Sequence, residues 1–176
     1  MTQRIRRFWA PAFTVALLAF SGCSSTPRSA PATPAPAATA TVVTVAFQTA
    51  DVRAGDRTIG VEVATTPAQR ERGLGYRDAL DADAGMIFDL HGTRTQQFWM
   101  KGMRFALDMV WVDASERVAQ VTKDIPPEPG VPDDRLRLYA SDLPVAYVIE
   151  VNAGASSRLG LAPGAQLTFD LPAGSD

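Results

Sequence analysis

The chain has 176 residues, 46% of them apolar and 20% charged, with 17 Lys plus Arg against 19 Asp plus Glu. That composition excludes a wholly disordered chain and fits one domain with room for an appendage. A formal net charge of −2 gives no electrostatic reason to expect a nucleic acid as partner. The single Cys cannot form an internal disulfide, and the single His cannot supply a His cluster for a metal.

The N-terminus reads as an address. Arg4, Arg6 and Arg7 form a positive start, and Phe8 to Phe20 is an uncharged, mostly apolar run. As a helix that run is too short for a hydrocarbon core of ~30 Å, but it has the size and flanks of a signal-peptide core. It ends in Leu18-Ala19-Phe20-Ser21-Gly22-Cys23, and small residues before a lone Cys resemble the lipobox of bacterial lipoproteins. Phe20 stands where Leu is commonest in that motif. The resemblance implies a signal peptide over residues 1–22, cleavage before Cys23 and lipidation of Cys23. An ordinary secretory signal would leave an unpaired thiol without a purpose. Each attached acyl chain contributes ~0.8 kcal/mol per buried methylene, so two or three chains anchor stably. The partner on this side is therefore a membrane, reached through lipid. Ser24 follows the Cys, and by the same resemblance the lack of Asp there favours the outer over the inner membrane, with the domain facing the periplasm.

Removing residues 1–22 takes away three Arg and no acid, leaving 14 basic against 19 acidic residues, a net charge of −5. Residues 23–41 then form a tether rich in Ala, Pro, Thr and Ser with no apolar pattern, expected to be disordered.

Residues 42–172 are long enough for a core. Val43, Val45 and Phe47 alternate as a strand, Ala54-Gly55-Asp56-Arg57 is a hairpin turn signal, and Ile59, Val61 and Val63 alternate in the returning strand. A short helix follows, with Thr66 as N-cap, Pro67 at the first helical position and Gln69 completing a capping box, ended by Gly73 or Gly75. Met86-Ile87-Phe88 is a strand and His91-Gly92-Thr93 a loop. Gln97 to Lys101 is a strand that turns at Gly102, and Phe105 to Val112 is a nearly continuous apolar strand, central in a sheet. Arg117 to Thr122 pairs back, and Lys123 to Pro144 is a long Pro-rich loop. Ala146 to Val151 is a strand, Ser156 to Leu159 a helical turn stopped by Gly160, and Gln166 to Leu171 the last strand. About eight short strands with one or two short helices predict a mainly β protein, an antiparallel sandwich or barrel. A parallel sheet is not expected without long crossover helices.

Four segments together resemble one family. They are Arg70-Glu71-Arg72-Gly73-Leu74; Gly85-Met86-Ile87-Phe88; Phe98-Trp99-Met100-Lys101 with Leu107-Asp108; and Tyr147-Val148-Ile149-Glu150-Val151-Asn152-Ala153-Gly154. In that order they are similar to domain-of-unknown-function family 192, over about residues 58–171. The resemblance implies a jelly-roll-like antiparallel β-sandwich and export from bacteria, and implies no activity. Two departures stand out. Gly75 occupies a position where the family usually has a bulky apolar residue, and Gly102-Met103-Arg104-Phe105 replaces its usual Asn-Thr and Pro.

A charge inside an apolar strand is costly unless paired. Lys101 is therefore expected to meet Asp108 or Glu150, with Trp99 beside it and Asn152 sharing the face of Glu150. The cluster Trp99, Lys101, Asp108, Glu150 and Asn152 is either a structural ion pair fixing register or the polar floor of a small ligand pocket. An enzyme would use Asp108 and Glu150 as an acidic pair on an envelope saccharide. His91 has no Gly-x-Ser-x-Gly partner motif and reads as a solvated loop residue, and Asp133-Asp134 lacks EF-hand spacing, so neither metal nor cofactor is expected. Arg70 and Arg72 suit the end of the first helix, or an anionic ligand. Phe98, Trp99, Met100, Met103 and Trp111 read as core. The expected function is a lipid-anchored envelope protein acting as a binding or interaction module for a small molecule or an envelope protein. The alternative is the saccharide hydrolase.

Overall fold

The computed structural model describes residues 45–172. The expected signal peptide, Cys23 and the tether lie outside those residues. Strands β1 (Gln48–Ala54) and β2 (Arg57–Ala64) pair antiparallel down to Ala54 opposite Arg57. The two-residue turn between them places Gly55 at φ 58°, a left-handed conformation that glycine adopts without steric cost. Of the expected Val43–Phe47 strand, residues 43–44 lie outside the described residues and 45–47 precede the first strand, whose Val52 and Ala54 are buried in the core.

Helix α1 (Pro67–Arg72) starts as its sequence dictates. The Thr66 side chain accepts from the Gln69 N–H at 3.2 Å, and the Gln69 side chain accepts from the Thr66 N–H at 3.0 Å. The chain leaves at Gly73 and returns as β3 (Ala84–Arg94). The remaining elements are β4 (Gln97–Phe98), β5 (Leu107–Val112), β6 (Val118–Ile125), β7 (Tyr139–Ala140), β8 (Val145–Asn152), α2 (Ala155–Arg158) and β9 (Leu167–Thr168). The strand expected over Gln97–Lys101 is thus confined to its first two residues, and the long loop before β8 contains β7 and a single 3-10 turn at Asp133–Arg135.

Seven strands make one mixed sheet in the order β6-β5-β8-β3-β2-β1-β9, and β4 pairs with β7 separately. This corrects the antiparallel jelly-roll sandwich. Strand β3 runs parallel to β2, with Gly60 opposite Ala84, because residues 65–83 carry the chain back to the end of the sheet where β2 began. One short helix and a loop suffice for that crossover. The sheet also curls instead of stacking on a second layer. Arg117 bridges Gln166, and the Val118 N–H donates to the Ala165 carbonyl at 2.9 Å, so the two outermost strands approach one another. The result is a half-barrel.

Each face of the sheet has its own core. The inner one collects Val52, Ile59, Val61, Ile87, Val110, Ile149, Val151 and Leu167 from the curled strands. The outer one collects Met86, Phe88, Met109, Trp111 and Val148 beneath Leu74, Met100, Met103 and Tyr139. Strand β5 is buried along its whole length because both faces are covered, which explains its unbroken apolar run. In the outer core the Phe98 ring stands edge-on to Phe88 at 5.1 Å and to Trp111 at 5.6 Å. Such pairs add about 0.5–1.5 kcal/mol each beyond their buried area.

Candidate functional site

Glu150 lies on β8 between two antiparallel neighbours, opposite Met86 of β3 on one side and Met109 of β5 on the other. Period-two geometry sends these three side chains to the same, outer face. The Glu150 residue is only 5% exposed, and no described group hydrogen-bonds its carboxyl. No fully buried polar atom among the described residues lacks a partner, so those oxygens open onto the space above them. Burial away from water disfavours the charged form and pushes the carboxyl up to about 8.

The space above Glu150 is a cleft of about 200 Å³. Phe88, Leu74, Leu90, Phe98 and Met103 line it with apolar surface, and Arg70, Glu71, Arg72, Gln96, Gln97, Trp99 and Lys101 bring polar or amphipathic groups to it. Arg70 is held in place by the backbone carbonyls of Thr65 and Asp89. Arg72 lies over the Tyr76 ring at 4.9 Å. Lys101 pairs with Asp133 at 2.9 Å and sits 5.8 Å from the centre of the half-exposed Trp99 ring. The Asp133 carboxylate raises the Lys101 ammonium above its ordinary range, first by hydrogen bonding and then by charge. Gly75 closes the wall. A Cβ there would come within 2.9 Å of the Lys101 carbonyl oxygen and 3.2 Å of the Arg72 carbonyl oxygen, so the bulkier family residue has no room beside this backbone.

The sequence cluster is thereby split. Trp99, Lys101 and Glu150 line one cleft. The expected ion pair of Lys101 with Asp108 or Glu150 is not formed, because Asp133 reaches Lys101 from the loop before β7. Asp108 is fully buried, and its register partner is Val151, a residue of the inner core. There Oδ1 accepts from the Asp124 N–H at 2.9 Å, and Oδ2 accepts from the Ser156 N–H at 3.1 Å and the Ser156 hydroxyl at 2.6 Å. Asp108 fastens α2 and β6 to the start of β5. Asn152 donates to the carbonyls of Leu80 and Asp81 at 2.9 and 3.1 Å, tying down the crossover loop away from the cleft. His91 is not simply solvated, since its Nε2 lies 2.8 Å from the Thr65 carbonyl oxygen. Among the described residues no cluster of three His, Cys, Asp or Glu side chains could hold a metal ion. The apolar lining from Leu74, Phe88 and Leu90 escaped sequence reading because its residues look like ordinary core. Gln96 and Gln97 carried no signal at all.

A family model for DUF192, described as "Uncharacterized ACR", matches residues 49–169, well over half of the chain. The chain belongs to the DUF192 family. The segments named from the sequence all fall in or beside that span. Two solved structures resemble the domain. A protein of Sinorhizobium meliloti 1021, provisionally described as a transcription regulator, is 33% identical with a TM-score of 0.61, the match covering 72% of this chain and 96% of that one. A protein of unknown function from Novosphingobium aromaticivorans DSM 12444 is 26% identical with a TM-score of 0.59, covering 69% and 84% respectively. No curated protein matches the chain.

Proposed function

We propose that this DUF192 protein is a lipid-anchored envelope protein, held through Cys23, whose outer-face cleft binds a small molecule. The observation that carries the binding role is the Glu150 carboxyl, nearly buried and without a hydrogen-bond partner, at a cleft edged by Arg70, Arg72, Lys101 and Trp99. The carboxyl opens onto the cleft and no described side chain takes its hydrogen bonds, so a group entering the cleft can pair with it. The cleft is smaller than the ~300–1,000 Å³ typical of drug-sized sites, so the ligand is small. The acidic balance of residues 23–176 speaks against carrying the description of the S. meliloti protein over to this chain, since a net charge of −5 repels a phosphate backbone.

The hydrolase alternative loses Asp108 as the partner of Glu150. It needs two carboxyl groups facing one cleft, whereas Asp108 turns to the inner face and has both oxygens engaged. Two measurements test the proposal. The full chain, purified from its native membrane and examined by native mass spectrometry, carries a small molecule that Glu150→Ala loses. Cys23→Ala releases the protein from membranes. An empty wild-type cleft in every preparation overturns binding, and undiminished membrane retention of Cys23→Ala overturns the anchor.

A further inference from the structure

We propose, building on the reading of the cleft as a binding site, that its ligand is a small organic acid. In this arrangement its apolar body lies on Phe88, Phe98 and Met103, and its acid group takes a hydrogen bond from the Glu150 carboxyl beneath the cations of α1. Three observations carry this.

The first is the floor. The groups beside Glu150 on its own sheet are Met86 and Met109, neither of which can donate or accept a strong hydrogen bond. A carboxyl surrounded this way keeps its proton and offers one O–H donor and a carbonyl acceptor.

The second is the charge around it. From α1 the cleft receives Arg70, Glu71 and Arg72, and from the segment after β4 it receives Lys101, which Asp133 neutralises. Among the described residues Arg72 hydrogen-bonds no carboxylate and has only the Tyr76 face. The balance around the entrance is positive. An entering amine would meet that field and would also have to ionise a carboxyl that burial holds neutral. An entering acid meets attraction above and a donor below. Two acid groups in contact share one proton, because two like charges at that distance cannot both persist.

The third is shape. Phe88 and Phe98 stand edge-to-face at 5.1 Å in the lining, leaving an apolar surface suited to a ring or short branched chain.

The test uses three probes with one body and different heads: phenylacetate, phenethylamine and 2-phenylethanol. Each is titrated into the full chain in detergent by calorimetry, near pH 6.5 and near pH 9. Phenylacetate binds tightest of the three near pH 6.5. Near pH 9 only about a tenth of a group titrating at about 8 keeps its proton, so affinity falls about tenfold. In Glu150→Gln, whose amide does not titrate, the ratio of affinities at the two pH values drops to near one. Arg72→Ala weakens phenylacetate several-fold at both. Tighter binding of phenethylamine overturns the ligand class and leaves the cleft a binding site, and phenylacetate binding that ignores pH in the wild type overturns the hydrogen bond from Glu150. Silence from all three at millimolar concentration overturns the organic-acid inference, and the co-purified ligand then decides separately whether the cleft binds anything.

Discussion

Two acidic side chains on adjacent strands of one sheet have opposite fates. Asp108 of β5 and Glu150 of β8 are diagonal neighbours in register, since Asp108 faces Val151 and Met109 faces Glu150. A one-residue offset sends them to opposite faces. Asp108 enters the inner side, where the backbone of α2, the backbone of β6 and a hydroxyl all donate to it. Glu150 enters the outer side between two thioethers and meets no donor. Burial is nearly equal at 0% and 5% exposure, so burial does not separate the structural acid from the candidate functional one. Their hydrogen-bond partners do.

That contrast can be broken at either end. Asp108→Ala strips the acceptor from three donors, two of them around a buried serine. Hydrogen bonds to a carboxyl of this kind are worth ~1.5–3 kcal/mol each, so the variant should lose about 5 kcal/mol in urea unfolding. A loss below about 1 kcal/mol would mean that water replaces the carboxyl freely.

Glu150 should behave in the opposite sense. Its folded-state value of about 8 lies above the ordinary 4.5. Between those values the unfolded chain has released the proton and the folded chain has kept it. Stability is therefore full below about pH 4.5 and falls as pH rises toward 8, by about 1.4 kcal/mol per pH unit from this group. Glu150→Gln removes that slope and should gain about 3 kcal/mol near pH 7. A variant whose stability tracks the wild type at pH 5 and pH 8 alike would show that Glu150 is solvated.

Lys101→Met gives the smallest effect. Its partner Asp133 is two-thirds exposed, and water replaces such a contact readily. Thermal unfolding of this variant should coincide with the wild type, and a marked drop would mean that Lys101 supports the cleft wall.

The legibility of the molecule follows the range of each interaction. The start of α1 could be read residue by residue, because Thr66, Pro67 and Gln69 act on backbone within one turn. The hairpin at Gly55 and the buried strand β5 were equally plain. What stayed hidden depended on distant pairing. The parallel match of β2 with β3 is set by where a loop returns. The partners of Asp108 lie 16 and 48 residues away, and Asp133 lies 32 residues from Lys101 in a loop with no apolar rhythm. Alternation puts Glu150 and Asn152 on one face, yet nothing local distinguishes the one that pairs with a distant loop from the one that does not.

The seam between Arg117 and Gln166 has a consequence for crowding. A curved sheet ordinarily presents two raw margins, and either can template growth by a neighbouring molecule. Here β9 covers only Arg53 and Ala54 of β1, leaving Gln48–Val52 as an open edge, and the other margin is pinched against β9 at its start. Farther along, that second margin bears exposed Lys123 and Asp124, with Asp124 at φ 53° and two register shifts in its pairing with β5. A neighbouring strand seeking an edge therefore meets only the short stretch Gln48–Val52 on one side and a bulged, charged strand on the other.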